Sequence, residues 1–70
     1  MDKQKKTASV LEEIVKVRIG AGDFRVIVQR NPDAGWQATI YGCQPAEIHR
    51  YQVMADTIAT ELCRHYDLSG

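Results

Sequence analysis

Two segments of alternating apolar and polar residues, joined by a short loop, constrain the fold of this chain more than any other feature. The loop reads Asn31-Pro32-Asp33-Ala34-Gly35. Its proline presets the backbone for a type I turn, and its glycine accepts a left-handed exit. Residues 24–29 and 36–41 on either side have the period of two that is typical of half-buried strands. We therefore predict an antiparallel hairpin with strands over about residues 24–30 and 36–41.

The segment before the hairpin has two interpretations. Ser9 and Glu12 match a helix capping box, and the apolar residues of a helical face follow at Val10, Leu11, Ile14 and Val15. Alternatively, β-branched residues alternate with Lys16 and Arg18, as strands prefer, at Val15, Val17 and Ile19. We favour a strand over about residues 14–19, joined to the hairpin by a turn at residues 20–23. A helix over residues 9–19, giving an α-β-β-α layout, is the alternative.

A helix is predicted over about residues 46–66. Pro45 suits its first position, and Glu47 in the first turn favours the positive end of the helix dipole. Apolar residues at spacings of three and four make one core-facing stripe, formed by Ile48, Tyr51, Ala55, Ile58, Ala59, Leu62 and Tyr66. The predicted fold class is α+β, a three-stranded antiparallel meander with one C-terminal helix packed on one face. This single β-β-β-α domain would span residues 9–70, after a flexible basic tail at residues 1–8.

The sheet face without the helix is predicted to be basic. In this register Arg18 lies across from Arg25, and Arg25 lies across from Tyr41, with Lys16 and Ile27 in the next row. Like charges placed opposite each other cost stability in a sheet, whereas arginine pairs well with phosphate or carboxylate groups of a ligand. The candidate binding residues are therefore Lys16, Arg18, Arg25, Ile27 and Tyr41. The alternative is a solvated face on which the arginine stems cover Ile27.

The predicted layout and the segment Gly35-Trp36-Gln37-Ala38-Thr39-Ile40 are similar to those of two kinds of small domain. One is the sheet-reading DNA-binding domain at the N-terminus of some integrases, and the other is the small domain of HicB-type antitoxins. The resemblance implies a three-stranded sheet with a C-terminal helix. No residue role follows from it.

Catalytic, metal and cofactor sites are not expected. Cys43 and Cys63 would lie more than about 20 Å apart along the predicted helix, too far for a disulfide. His49 and His65 lack metal-ligand spacing with the cysteines, and Cys63 and His65, two residues apart on a helix, cannot meet. A chain of 70 residues also has little volume for a concave pocket, so neither an enzyme nor a small-molecule substrate is expected.

The sequence therefore predicts a small, cytoplasmic interaction protein with a regulatory or adaptor role. A core of this size rarely supplies more than about 3–5 kcal/mol without a staple, and uncovered strand edges invite a partner strand or a second copy. We expect it to bind another protein, or itself as a homodimer, through the open sheet face or a strand edge. Nucleic-acid binding by the basic face is the alternative, although the nine basic and nine acidic residues balance. No apolar run approaches the length of about 20 residues that a membrane span requires.

Overall fold

The computed structural model describes residues 3–20, 22–33 and 35–69. In chain order the elements are β1 (Gln4–Lys6), α1 (Ala8–Ile19), β2 (Arg25–Asn31), β3 (Gly35–Tyr41), α2 (Pro45–Leu62) and β4 (Tyr66–Leu68). The protein is α+β, with β2 and β3 paired antiparallel and β1 and β4 paired parallel. Some predicted segments include residues that the structure does not describe. These are residues 1 and 2 of the basic tail, residue 21 of the first turn, residue 34 of the hairpin loop and residue 70 at the end of the predicted domain.

The predicted hairpin is confirmed, including its register. Val26 pairs with Ile40, and Val28 pairs with Ala38. Each of these four residues is buried, because alternate positions on both strands point to the same side of the sheet. The turn behaves as its residue types predict, since Gly35 has a φ of +98°. The alternation of apolar and polar residues on both strands therefore gives the hairpin one covered face and one uncovered face.

The strand predicted over residues 14–19 is wrong, because Ala8–Ile19 forms a helix. This is the alternative that the capping pattern indicated, although the cap is Thr7, whose hydroxyl accepts from the Val10 amide at 3.4 Å. The helix ends at Ile19 and is capped by Gly20, which has a φ of +107°. The three-stranded sheet implied by the resemblance to integrase-type DNA-binding domains and to HicB-type small domains depended on that strand, and it is not found among the described residues.

Burial shows why the helix is preferred over the strand. Leu11 and Val15 are fully buried, and their spacing of four places them on one side of a helix. A strand would have turned Val15 and Val17 inward together, but Val17 is 68% exposed. The β-branched alternation that favoured a strand is thus overridden by packing of a helical face.

The C-terminal helix is confirmed but ends earlier than predicted, at Leu62. Its predicted final residue, Tyr66, instead begins β4, which pairs with β1. The pair is closed by backbone hydrogen bonds from Gln4 to His65 at 3.2 Å and from Ser69 to Lys6 at 2.8 Å. Residues 1–8 were predicted to be a flexible basic tail, and no strand was predicted within them.

One hydrophobic core lies between the hairpin and both helices. Leu11 and Val15 contribute to it from α1, and α2 contributes Ala55, Ala59 and Leu62. The hairpin side of the core consists of Phe24, Val26, Val28, Trp36, Ala38 and Ile40. Both helices therefore pack against the same face of the hairpin and leave its other face uncovered.

Candidate functional site

The uncovered side of the hairpin carries four cross-strand pairs of alternating residues, and the last of them, Asn31 with Gly35, lies at the turn. The six residues before the turn pair are here called the open face. They form three cross-strand pairs, namely Arg25 with Tyr41, Ile27 with Thr39, and Gln29 with Gln37. All six are exposed except Ile27, which is half-buried. The pairing of these six residues agrees with the rows expected from the sequence.

The chemistry of the open face is polar with a small apolar centre. Arg25 is its one cation among the six side chains, and none of the six is a carboxylate. Ile27 and the ring of Tyr41, which is 39% exposed, supply apolar surface. The amides of Gln29 and Gln37 supply donors and acceptors, although the Gln37 side-chain oxygen already accepts from the Asn31 amide at 2.8 Å. The face can therefore offer one strong anion-binding group beside an apolar contact.

Lys16 and Arg18 do not belong to the open face, because both lie on α1. Arg18 forms an ion pair with Glu61 of α2, with 3.4 Å between the guanidinium nitrogen and the carboxylate oxygen. The expected juxtaposition of Arg18 and Arg25 across neighbouring strands is wrong. The structure thus groups three of the five candidate residues, Arg25, Ile27 and Tyr41.

Lys16 lies near the open face without being part of it. It lines a shallow cleft between α1 and the start of β2, together with Arg25 and Tyr41. Its ammonium group lies 5.8 Å from the centre of the Phe24 ring. The same cleft contains Glu12 and Glu13, so its charge is mixed rather than basic.

A glutamine of α2 occupies one edge of the hairpin. The Gln52 side-chain oxygen accepts from the Ile40 amide at 2.9 Å. Its side-chain nitrogen donates to the Ala38 carbonyl at 3.0 Å. One amide side chain thus takes both hydrogen bonds that a neighbouring strand would make at this point of β3.

The other edge of the hairpin is partly occupied by Glu12 of α1, whose carboxylate accepts from the Val28 amide at 3.0 Å. A partner strand adding to β2 or β3 would have to displace Glu12 or Gln52, so the open face is more accessible than these parts of the edges. Neither contact is predicted from the sequence. Glu12 was identified only as part of a possible helix capping box. Nothing in the local sequence indicates that the Gln52 side chain bonds to a strand.

Within the described part of the chain, no group of three or more His, Cys, Asp or Glu residues could hold a metal ion. Cys43 and Cys63 are free thiols, both half-buried. The helices of the described residues include none with the length and apolarity needed to cross a membrane.

Comparison with known proteins found no matching family model, no similar curated protein and no similar solved structure.

Proposed function

We propose that this chain is a non-catalytic interaction protein, with a regulatory or adaptor role, that binds a protein partner through the open face. The observation that carries the proposal is that both helices pack on one face of the hairpin, whereas Arg25, Ile27 and Tyr41 are together on the other. We place the protein in the cytoplasm, where free thiols such as Cys43 and Cys63 stay reduced.

The residue types of the open face suit a partner that presents a carboxylate beside an apolar side chain. Arg25 would pair with the carboxylate in a fork geometry, and arginine and tyrosine are enriched among the residues that dominate interface energies. Ile27 and the Tyr41 ring would contact the apolar group. Seven-residue strands span about 23 Å, so the contact area is small and the complex belongs to the transient class.

Nucleic-acid binding is the alternative proposal, and one feature supports it. Arg25, Lys16 and Tyr41 line the same cleft, where two cations could contact phosphates and the ring could stack on a base. Two observations weigh against it. Glu12 and Glu13 line that cleft too, and Arg18 is not among the residues that line it.

Affinity capture from the native cell tests the main proposal. The wild type is compared with the double variant Arg25→Glu/Tyr41→Ala and with Arg64→Glu, which makes the same charge change at an exposed position after α2. We expect a protein that is retained by the wild type and by R64E to be lost with R25E/Y41A, because only the latter alters the open face. Circular dichroism shows whether each variant is folded.

The same three proteins distinguish the two proposals. Binding to single- and double-stranded oligonucleotides is measured at about 50 and 200 mM salt, because phosphate contacts weaken steeply over this range. Salt-sensitive binding that R25E/Y41A abolishes would favour nucleic acid. If folded R25E/Y41A captures the same proteins as the wild type, the open face is not the binding surface.

A further inference from the structure

Helix α1 has a second apolar stripe that the core covers only in part, at Ile14. Val10 is 42% exposed, Val17 is 68% exposed, and Ile14 between them is half-buried. Their spacing of four and then three places them on one side of the helix, as in the seam of a coiled coil. This stripe borders the buried side of the helix, which is formed by Leu11 and Val15, and Val10 and Val17 remain exposed.

Two opposite charges flank the stripe. Glu13 and Arg18 line the same surface as the three apolar residues. Successive residues are about 100° apart around a helix, so Glu13 and Arg18 fall on opposite sides of the stripe. Both are exposed, and the ion pair of Arg18 with Glu61 uses one of its several donor groups.

The charge pattern is self-complementary in one orientation only. Consider two identical helices that pack in parallel. A residue on one flank of the first helix then lies next to a residue of the second helix that is five positions later and on the opposite flank. Glu13 and Arg18 have this separation and opposite sign. An antiparallel pair would instead bring Glu13 next to Glu13 of the second copy, because equivalent flanks then face each other.

We propose that two copies of this chain associate through α1, with the two helices parallel about a two-fold axis. Val10, Ile14 and Val17 pack against the same residues of the second copy. Glu13 of each copy pairs with Arg18 of the other, which gives two equivalent ion pairs. This surface does not include the open face, so a dimer could bind a partner at each hairpin.

The proposed dimer is weak, because a single helix of 12 residues supplies the interface. Such an area lies below the roughly 800 Å² per partner of a stable complex, so we expect dissociation constants in the high-micromolar range. Sedimentation velocity over about 10 µM to 1 mM covers that range.

Charge exchange tests the orientation as well as the association. Every variant is made in a Glu61→Gln background, which removes the internal partner of Arg18, and E61Q alone is expected to dimerise. Glu13→Arg and Arg18→Glu should each weaken self-association by about tenfold, because two attractive pairs become repulsive. An equimolar mixture of these two variants should dimerise again, since each then meets the opposite charge. The double variant E13R/R18E should dimerise as E61Q does.

Three results would overturn the proposal. The first is a wild type that remains monomeric at about 1 mM, a concentration at which even weak specific dimers form. The second is self-association that neither charge variant changes. The third is a mixture that stays monomeric while both variants are folded by circular dichroism. None of these results bears on the open face, which R25E/Y41A tests separately.

Discussion

At the residue scale, Gln52 has a structural role that its exposed neighbours on α2 do not share. Its side chain is half-buried and bonds both a backbone amide and a backbone carbonyl of β3. It also donates to the carboxylate of Asp56 at 2.9 Å, one helical turn away, which holds its orientation. The glutamine thus attaches α2 to the hairpin edge and blocks addition of another strand there.

Replacing Gln52 by alanine should therefore destabilise the protein by about 1–2 kcal/mol, because two backbone groups lose their partners. Urea denaturation monitored by Trp36 fluorescence measures the change. Gln29→Ala is the matched control, since Gln29 is exposed on the open face, and its effect should stay within about 0.5 kcal/mol. Equal effects of the two substitutions would mean that Gln52 does not secure the edge.

At the element scale, α1 determines where the charges of the protein lie. As a strand, this segment would have added Lys16 and Arg18 to the open face. As a helix, it places Arg18 against Glu61 and leaves Lys16 beside Glu12 and Glu13. The open face consequently has a single cation among its six side chains, which agrees with the proposal of a protein partner.

Two valines test the helical state of α1 directly. A strand would bury Val15 and Val17 alike, whereas the helix buries Val15 completely and leaves Val17 largely exposed. Val15→Ala should cost about 2 kcal/mol through the cavity it leaves. Val17→Ala should change the free energy of unfolding by less than about 0.5 kcal/mol. Similar costs in urea denaturation would contradict the helix, and the measurement is made at low-micromolar concentration so that self-association does not contribute.

At the scale of the whole molecule, the parts predicted correctly from sequence are those set by local signals. The loop at residues 31–35 and the alternation beside it determine the hairpin, so the placement of Arg25, Ile27 and Tyr41 on one face was predictable. The segment at residues 9–19 contains both a helical and an alternating pattern, and only its packing against the hairpin decides between them.

The pairing of the two chain ends was not predictable for a different reason. β1 and β4 have three residues each, too few for a period to appear, and they are about 60 residues apart in the chain. Their position depends on contacts between residues distant in the sequence, such as the hydrogen bond from the Trp36 indole to the Tyr66 carbonyl at 3.1 Å. The contacts of Gln52 and Glu12 with the hairpin edges also join residues distant in the sequence, so they were not predictable from local patterns either.

The hairpin has one covered face and one uncovered face, and the uncovered face is the proposed binding surface. Thr39 and Ala38 are sequence neighbours on β3, but Thr39 is exposed and Ala38 is 2% exposed. Methyl NMR signals recorded with a soluble paramagnetic agent compare the two faces directly. The Thr39 methyl signal should broaden strongly, whereas that of Ala38 should stay sharp. Equal broadening of both methyls, or a protected Thr39 beside an accessible Ala38, would show that the helices do not cover the face that contains Ala38.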